Sequence, residues 1–544
     1  MRLIAWAIAE HVAKAGFYCA IVASCHFLFH HQPPRVVGDS IVGDILYYLY
    51  TACLLAASLF GFRGFKTELE WALKRHKLPP GTFGLPLVGE IFSILILYKA
   101  NIVQFISDKA KRYGNIFMSV LVEPNVVLGG ADHLQWLFQA DRKRQVQIAW
   151  PPNIQDLLGP TAVANLSGPH HRHMRRLLEP FFAPAFVQKY FGIMDEITQS
   201  ELQAWSATND FCSSQVFKMY ALKLFLASSF GHVDEDVMKR LHDDFIIWIG
   251  GFLSLTGNLR VPGTPFDKAM HARDRILALV KDLIEQFERD NAEDSDRAQN
   301  TIVGRFIYAR DEEGNRLTRP QMEDNILNLI FAGHDTTFAS ISTVLHHLVQ
   351  HPDILQALEK EVSQFREPLT VDQLKNEAPI LNAVMWESWR MDPPVPGGFR
   401  KSNQPLDYNG YHFEAGTTFN YSVLLTAGDD SLYPQARTKF APQRFLPSDH
   451  PLQHKKASDD LQSSTTIDPS QGRSNYPIFG GGTHVCLGKH FALLELRVIL
   501  ARMVQHYHIE TRSDVKVDFP VNGWQVDFKL TPRKKLEWGP RVLS

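Results

Sequence analysis

Phe479-Gly480-Gly481-Gly482-Thr483-His484-Val485-Cys486-Leu487-Gly488 sets one cysteine at the end of a glycine-rich loop. Behind it, Leu487 to Tyr507 carries Phe491, Leu494, Val498, Leu500 and Met503 on one helical stripe. Glycine lets a backbone turn tightly and approach a large flat ligand where a Cβ would collide. A cysteine at a helix N-terminus meets free N–H groups and the positive end of the helix dipole, both of which favour the thiolate. The chemistry this permits is soft metal ligation, and axial ligation of haem iron above all. For an isolated residue, the competing reading is a buried cysteine beside a flexible loop.

Three further groups of residues could do chemistry with it. Thr318 to Gln350 reads as one long helix, with Thr318 and Gln321 at capping-box spacing, Pro320 in the first turn and Pro352 closing it. Its middle is Ala332-Gly333-His334-Asp335-Thr336-Thr337, after apolar Ile326, Leu327, Leu329, Ile330 and Phe331. A glycine there costs about 1 kcal/mol against alanine, and an acid beside two threonines is foreign to a core helix. Read alone, the hexapeptide is equally a helix with back-bonded threonines. Glu387 and Arg390 share a helix face at i,i+3, with Arg444 downstream in Phe440-Ala441-Pro442-Gln443-Arg444-Phe445. Cationic and hydrogen-bonding side chains recur in Gly168-Pro169-His170-His171-Arg172-His173-Met174-Arg175 and at Arg400.

Together these motifs resemble the cytochrome P450 family, over residues 79 to 535 and in the family's order. Phe479, Gly482, Cys486 and Gly488 match its haem-binding signature, which implies haem b with Cys486 as the axial ligand of the iron. Phe479, His484 and Gly488 would line that cofactor, and His484 stands where many members have arginine. Ala332 to Thr337 matches the oxygen-activation motif, in which the helix opens over the iron. By that resemblance Gly333 marks the opening, Thr336 hydrogen-bonds bound dioxygen or its water, and Asp335 relays protons from solvent. Glu387, Arg390 and Arg444 resemble a structural triad, although Gln443 replaces the usual glutamate. His171, Arg175 and Arg400 match the residues that hold the haem propionates. Val261 to Arg273 and Pro79 to Pro86 resemble segments of the branch hydroxylating sterols, triterpenoids and retinoic acid.

The implied fold is mainly α with a small β region. The implied reaction is a monooxygenation that uses one dioxygen, two electrons and two protons per C–H bond oxidised. No nucleotide-binding glycine fingerprint follows a strand. Electrons are therefore expected from NADPH through a separate membrane-bound cytochrome reductase, with cytochrome b5 as an alternative donor. Two other functions fit parts of the pattern: a haem-thiolate isomerase or dehydratase needing no reductase, and a non-catalytic haem-binding membrane protein.

Composition limits the rest. At 544 residues, 45% hydrophobic and 21% charged, the chain can bury a large core. Its 56 basic and 58 acidic residues leave a formal charge of −2, which gives no electrostatic case for nucleic acid. Five cysteines without a Cys-x-x-Cys pair argue against a disulfide framework or zinc site.

Ile45 to Phe62 carries no charge, and as a helix it is about 27 Å long, enough to cross a bilayer. Arg63, Lys66, Lys74, Arg75 and Lys77 follow it, which orients the larger part toward the cytosol. Ala15 to Phe29 is a second span, an interfacial helix or a signal-like segment. The expected organisation is an anchor over 1–78 and a catalytic domain over 79–544, on the endoplasmic reticulum membrane. Asn409-Gly410 predicts a hairpin turn, and polar 449–474 a surface loop.

Overall fold

A computed structural model describes residues 78–533, apart from 83–88, 91–92, 99–101, 121–123, 209–210, 255–256, 312–313, 455–473 and 518–522. Both N-terminal segments read as membrane helices lie outside the described residues, as does most of the polar loop. Among the described residues, no helix is long and apolar enough to cross a membrane.

The chain divides into two units, one running up to Leu128 with Ser402–Asn420, the other comprising Gly129–Lys401 and Tyr421 onward. In the first, α1 (Ile102–Tyr113) buries Phe105 and Lys109, one turn apart. Lys109 Nζ lies 2.6 Å from buried Glu90, whose carboxylate also accepts the Ser119 hydroxyl at 2.6 Å. Two buried opposite charges need such additional hydrogen bonds to offset their desolvation. Strands Ile116–Val120 and Pro124–Leu128 pair antiparallel, a pairing that the sequence pattern did not announce. The expected hairpin forms between Leu406–Tyr408 and Tyr411–Phe413. Its turn residues Asn409 and Gly410 have φ of 51° and 78°. A type I′ turn requires φ above zero at both positions, which these two residues adopt most readily.

The second unit is built mainly of helices. Those that position the site are α2 (Ala131–Arg142), α3 (Gly168–Leu178), α4 (Phe191–Ser206), α5 (Ser213–Phe230), α6 (Glu235–Gly250), α7 (Pro265–Asp290), α8 (Arg319–Gln350), α9 (Pro379–Met391) and α10 (Lys489–His506). Strands Tyr507–Val517 and Gly523–Pro532 pair antiparallel, and Phe211–Cys212 adds to the second.

The caps explain the helix ends. Thr318 N–H donates to Gln321 Oε1 at 2.9 Å and closes a capping box at the start of α8. His351 ends it with φ −129° and ψ 75°, because Pro352 disfavours α geometry in the residue before it. Asp392 ends α9 before Pro393 in the same way. From Asp324 to Leu348, α8 is buried all round except at Phe331, Ala332, Gly333 and Thr336. A helix apolar on every face belongs at the centre of a large core. Trp248, Trp389, Phe217, Phe245 and Phe306 are fully buried in that core. Each contributes about 1.5–3 kcal/mol by leaving water.

Candidate active site

The loop before α10 takes its shape from its glycines. Gly480 and Gly482 have φ of 71° and 74°, and Gly482 to His484 make one 3₁₀ turn. A Cβ on Gly481 would stand 2.4 Å from the Phe138 ring, and one on Gly482 2.3 Å from Asp141 Oδ2. The close approach that demands these glycines is therefore to side chains of α2. Phe479, whose ring meets Trp386 and Trp389 edge-on, accepts the Cys486 N–H at 2.8 Å through its carbonyl. The helix begins at Lys489 with Gly488 as N-cap, two residues later than expected.

Cys486 is exposed by surface area although it is enclosed by the body of the chain, so its thiol faces an interior space. Burial pushes the thiol up. The N–H groups of Gly488 and Lys489 and the charges of Arg175 and Lys489 pull it down. Burial is the largest of these influences. A bound cation reverses that order, because coordination deprotonates a thiol outright.

Around this loop the three expected propionate ligands come together with His484. Arg175 of α3 donates to the Val485 carbonyl at 2.7 Å. His171, one turn earlier and buried, stacks on His484 with centroids 4.0 Å apart. Burial, then the charges of His484 and Arg175, lower the His171 ring to about 3, so it is neutral at physiological pH. It is a hydrogen-bonding group rather than a cation.

His484 Nε2 meets the Leu166 carbonyl at 3.0 Å. The Asp141 carboxylate takes the Thr483 N–H at 3.0 Å and the Thr483 hydroxyl at 2.9 Å. It also faces His484 at 3.6 Å and Arg400 Nε at 3.5 Å. Burial opposes the charge of Asp141, but His484, Arg400 and the Thr483 N–H hold it at about 2. Sequence reading missed Asp141, because an aspartate near the end of an amphipathic helix looks like a surface residue.

The Glu387, Arg390 and Arg444 constellation also assembles. Glu387 and Arg390 are fully buried and paired at 2.7 and 3.0 Å. Arg444 Nε reaches Glu387 at 3.4 Å, and the Ala441 N–H donates to the same carboxylate at 2.8 Å. Arg390 and Arg444 spend further N–H groups on the carbonyls of Ala427 and Pro434.

On α8 the helix runs unbroken through the hexapeptide, where an opening was expected. Thr336 donates its hydroxyl to the Ala332 carbonyl at 2.6 Å, the back-bonded arrangement. A Cβ on Gly333 would meet no protein atom within 4 Å. Asp335 is buried beside His334 and pairs with Lys218 of α5 at 2.5 Å. Burial would raise its carboxyl, yet His334 and Lys218 hold it below the usual carboxylate range. Thr337 donates to Glu495 of α10 at 3.3 Å, tying the two helices together. Burial pushes Glu495 up to about 8, so it is protonated at neutral pH.

These features fit a haem: an accessible thiol, a helix face bare only around Gly333 and Thr336, and Arg400 Nε buried without a hydrogen bond. The sequence model of the cytochrome P450 family matches residues 79–538.

The chain belongs to the cytochrome P450 family. It is 30% identical to a solved structure, retinoic acid-bound cyanobacterial CYP120A1, with a TM-score of 0.72 over 84% of this chain and 99% of that one. Abscisic acid 8'-hydroxylase 2 of Arabidopsis thaliana is 26% identical over 86% of this chain and 92% of its own. Beta-amyrin 28-monooxygenase of Medicago truncatula is 28% identical, over 84% and 93%. The protein is a cytochrome P450 monooxygenase, and its family implies haem, dioxygen, an organic substrate and a redox partner.

Proposed function

We propose that this P450 hydroxylates a C–H bond of a hydrophobic, isoprenoid-derived molecule: a sterol, triterpenoid, diterpenoid or retinoid. Electrons come from NADPH through a separate cytochrome reductase, with cytochrome b5 as an alternative donor. The observation that carries this reading is the accessible Cys486 thiol, held behind α10 and faced by Gly488 and Lys489 N–H groups. The named substrates of the relatives, retinoic acid, abscisic acid and beta-amyrin, share isoprenoid carbon skeletons.

Each site residue then has a task. Cys486 ligates the iron, and the bound haem supplies the oxidising chemistry. Arg175, Arg400, His171 and His484 hold the propionates, His171 as a neutral hydrogen-bonding ring. Glu387, Arg390 and Arg444 fix the chain beneath the cofactor. Thr336 orients dioxygen or water above Gly333, and Asp335 passes protons toward it. Ile45 to Phe62 anchors residues 79–544 to the endoplasmic reticulum membrane on its cytosolic side, in keeping with the basic cluster that follows the span.

Optical titration of the loaded enzyme with sterols, triterpenes, diterpenes and retinoids tests the substrate class. A low-to-high-spin change with one class, and oxygenated product dependent on NADPH and reductase, is the expected result. Rearrangement or dehydration of an organic peroxide itself, with no oxygenated second substrate and no reductase, would instead make the protein an isomerase or dehydratase.

A further inference from the structure

Asp335 has unusual neighbours for a buried carboxylate. Neither of its oxygens has an aligned hydrogen bond, and the same holds for His334 Nδ1, which lies 3.6 Å from Asp335 Oδ1. Asp335 and His334 are each about 1% exposed. His334 Nε2, on the other side of the ring, meets His242 Nδ1 of α6 at 3.4 Å. His242 is only half-buried. Imidazole can take a proton at one nitrogen while releasing one from the other. Two imidazoles end to end thus join the surface of α6 to the buried acid of α8.

The geometry points to a histidine relay, His242 to His334, as the route by which solvent protons reach Asp335. This inference rests on the reading of Asp335 as the proton carrier of the site. A hydronium ion gives its proton to His242 Nε2 and leaves as water, and His242 Nδ1 gives one to His334 Nε2. His334 Nδ1 gives one to Asp335 Oδ1, 3.6 Å away, when the pair closes to hydrogen-bond distance. Each ring ends neutral with its proton on the opposite nitrogen, so charge balances and no further reactant is consumed.

Lys218 of α5 is the counter-ion that keeps Asp335 ready to accept. Its amine also lies 5.2 Å from the Phe338 ring centroid. The charged and titratable groups facing His242 are His334, Asp243, Lys218 and Asp335. Phe245 of α6 covers the His334 ring. Burial, with the charge of His334 next, lowers the His242 ring to about 4. His242 therefore enters the relay as a neutral ring. Sequence reading named Asp335 but passed over His334 beside it, since its partner lies 92 residues away.

The test uses the full-length, haem-loaded enzyme with reductase, NADPH and retinoic acid as the probe. His242→Gln and His334→Gln keep size and hydrogen bonding but cannot pass a proton between two nitrogens. The carbon monoxide spectrum should stay unchanged in both. Peroxide released per NADPH consumed should rise by about tenfold, less than the loss of a direct proton donor produces. The solvent isotope effect on NADPH consumption should increase, which a merely structural role would not cause. Wild-type values in both variants, alongside a strong effect of Asp335→Asn, would overturn the relay and leave the monooxygenase reading standing. Wild-type values in Asp335→Asn itself would remove the proton-carrier role, and the relay with it.

Discussion

The cysteine loop and the middle of α8 hold their polar groups in opposite ways. Around the loop nearly every group has a fixed partner: Asp141 holds Thr483, Arg175 holds Val485, and Glu387 holds two arginines and a backbone N–H. In α8 the acid at 335 has its Lys218 ion pair but no aligned hydrogen bond, a Cβ on Gly333 would meet nothing beyond its own helix, and Thr336 turns back onto that helix. A cradle for a prosthetic group gains from rigid, satisfied contacts. A path for protons needs groups that can change partners. The difference separates what binds from what reacts.

Substitutions should break that contrast in graded ways. Cys486→Ser should have the largest effect, abolishing both thiolate spectroscopy and NADPH-dependent product. Product formed at the wild-type rate would show that the loop does not supply the ligand. Glu387→Ala leaves buried Arg390 unpaired and should cost about 3–5 kcal/mol in denaturant unfolding. A loss under about 1 kcal/mol, the scale of an exposed ion pair, would remove the triad from the cradle.

Asp141→Asn keeps the shape of the carboxylate but not its charge. It should cost about 1–3 kcal/mol and speed haem transfer to apomyoglobin. Equal transfer rates would make Asp141 incidental to the cradle. Thr336→Ala should leave melting and the carbon monoxide spectrum alone while raising peroxide release several-fold. Its effect should fall on the reacting side only, and a change in haem retention would blur the comparison.

The smallest effect concerns pH. His171 and His506 are held at about 3 and about 4, chiefly by burial, and next by His484 and by Arg502. Unfolded rings take protons near 6.5, so below that pH the unfolded state binds protons that the folded state refuses. Stability should fall as pH drops from about 6.5 toward 4. Thermal melting at pH 7.5 and 5 reads this directly, and His506→Gln should flatten the drop.

What the sequence disclosed was local. The capping box of α8, the Asn409-Gly410 turn and the loop before α10 are legible because neighbouring residues fix them. Glu387 and Arg444 could be paired only through resemblance, being 57 residues apart. Asp141 meets Thr483 across 342 residues, and nothing near either one announces the other. Lys218 and His242 were hidden for the same reason, since only the packing of α5 and α6 against α8 brings them to Asp335. α8 runs unbroken with the Thr336 hydroxyl bonded back to Ala332, one of two arrangements its composition allowed.

The difference spectrum of the reduced protein with carbon monoxide tests the central claim most directly. Ligation by Cys486 predicts the red-shifted Soret band of thiolate-bound haem, lost in Cys486→Ser. A histidine- or water-ligated spectrum in folded wild-type protein, or the absence of haem, would contradict it.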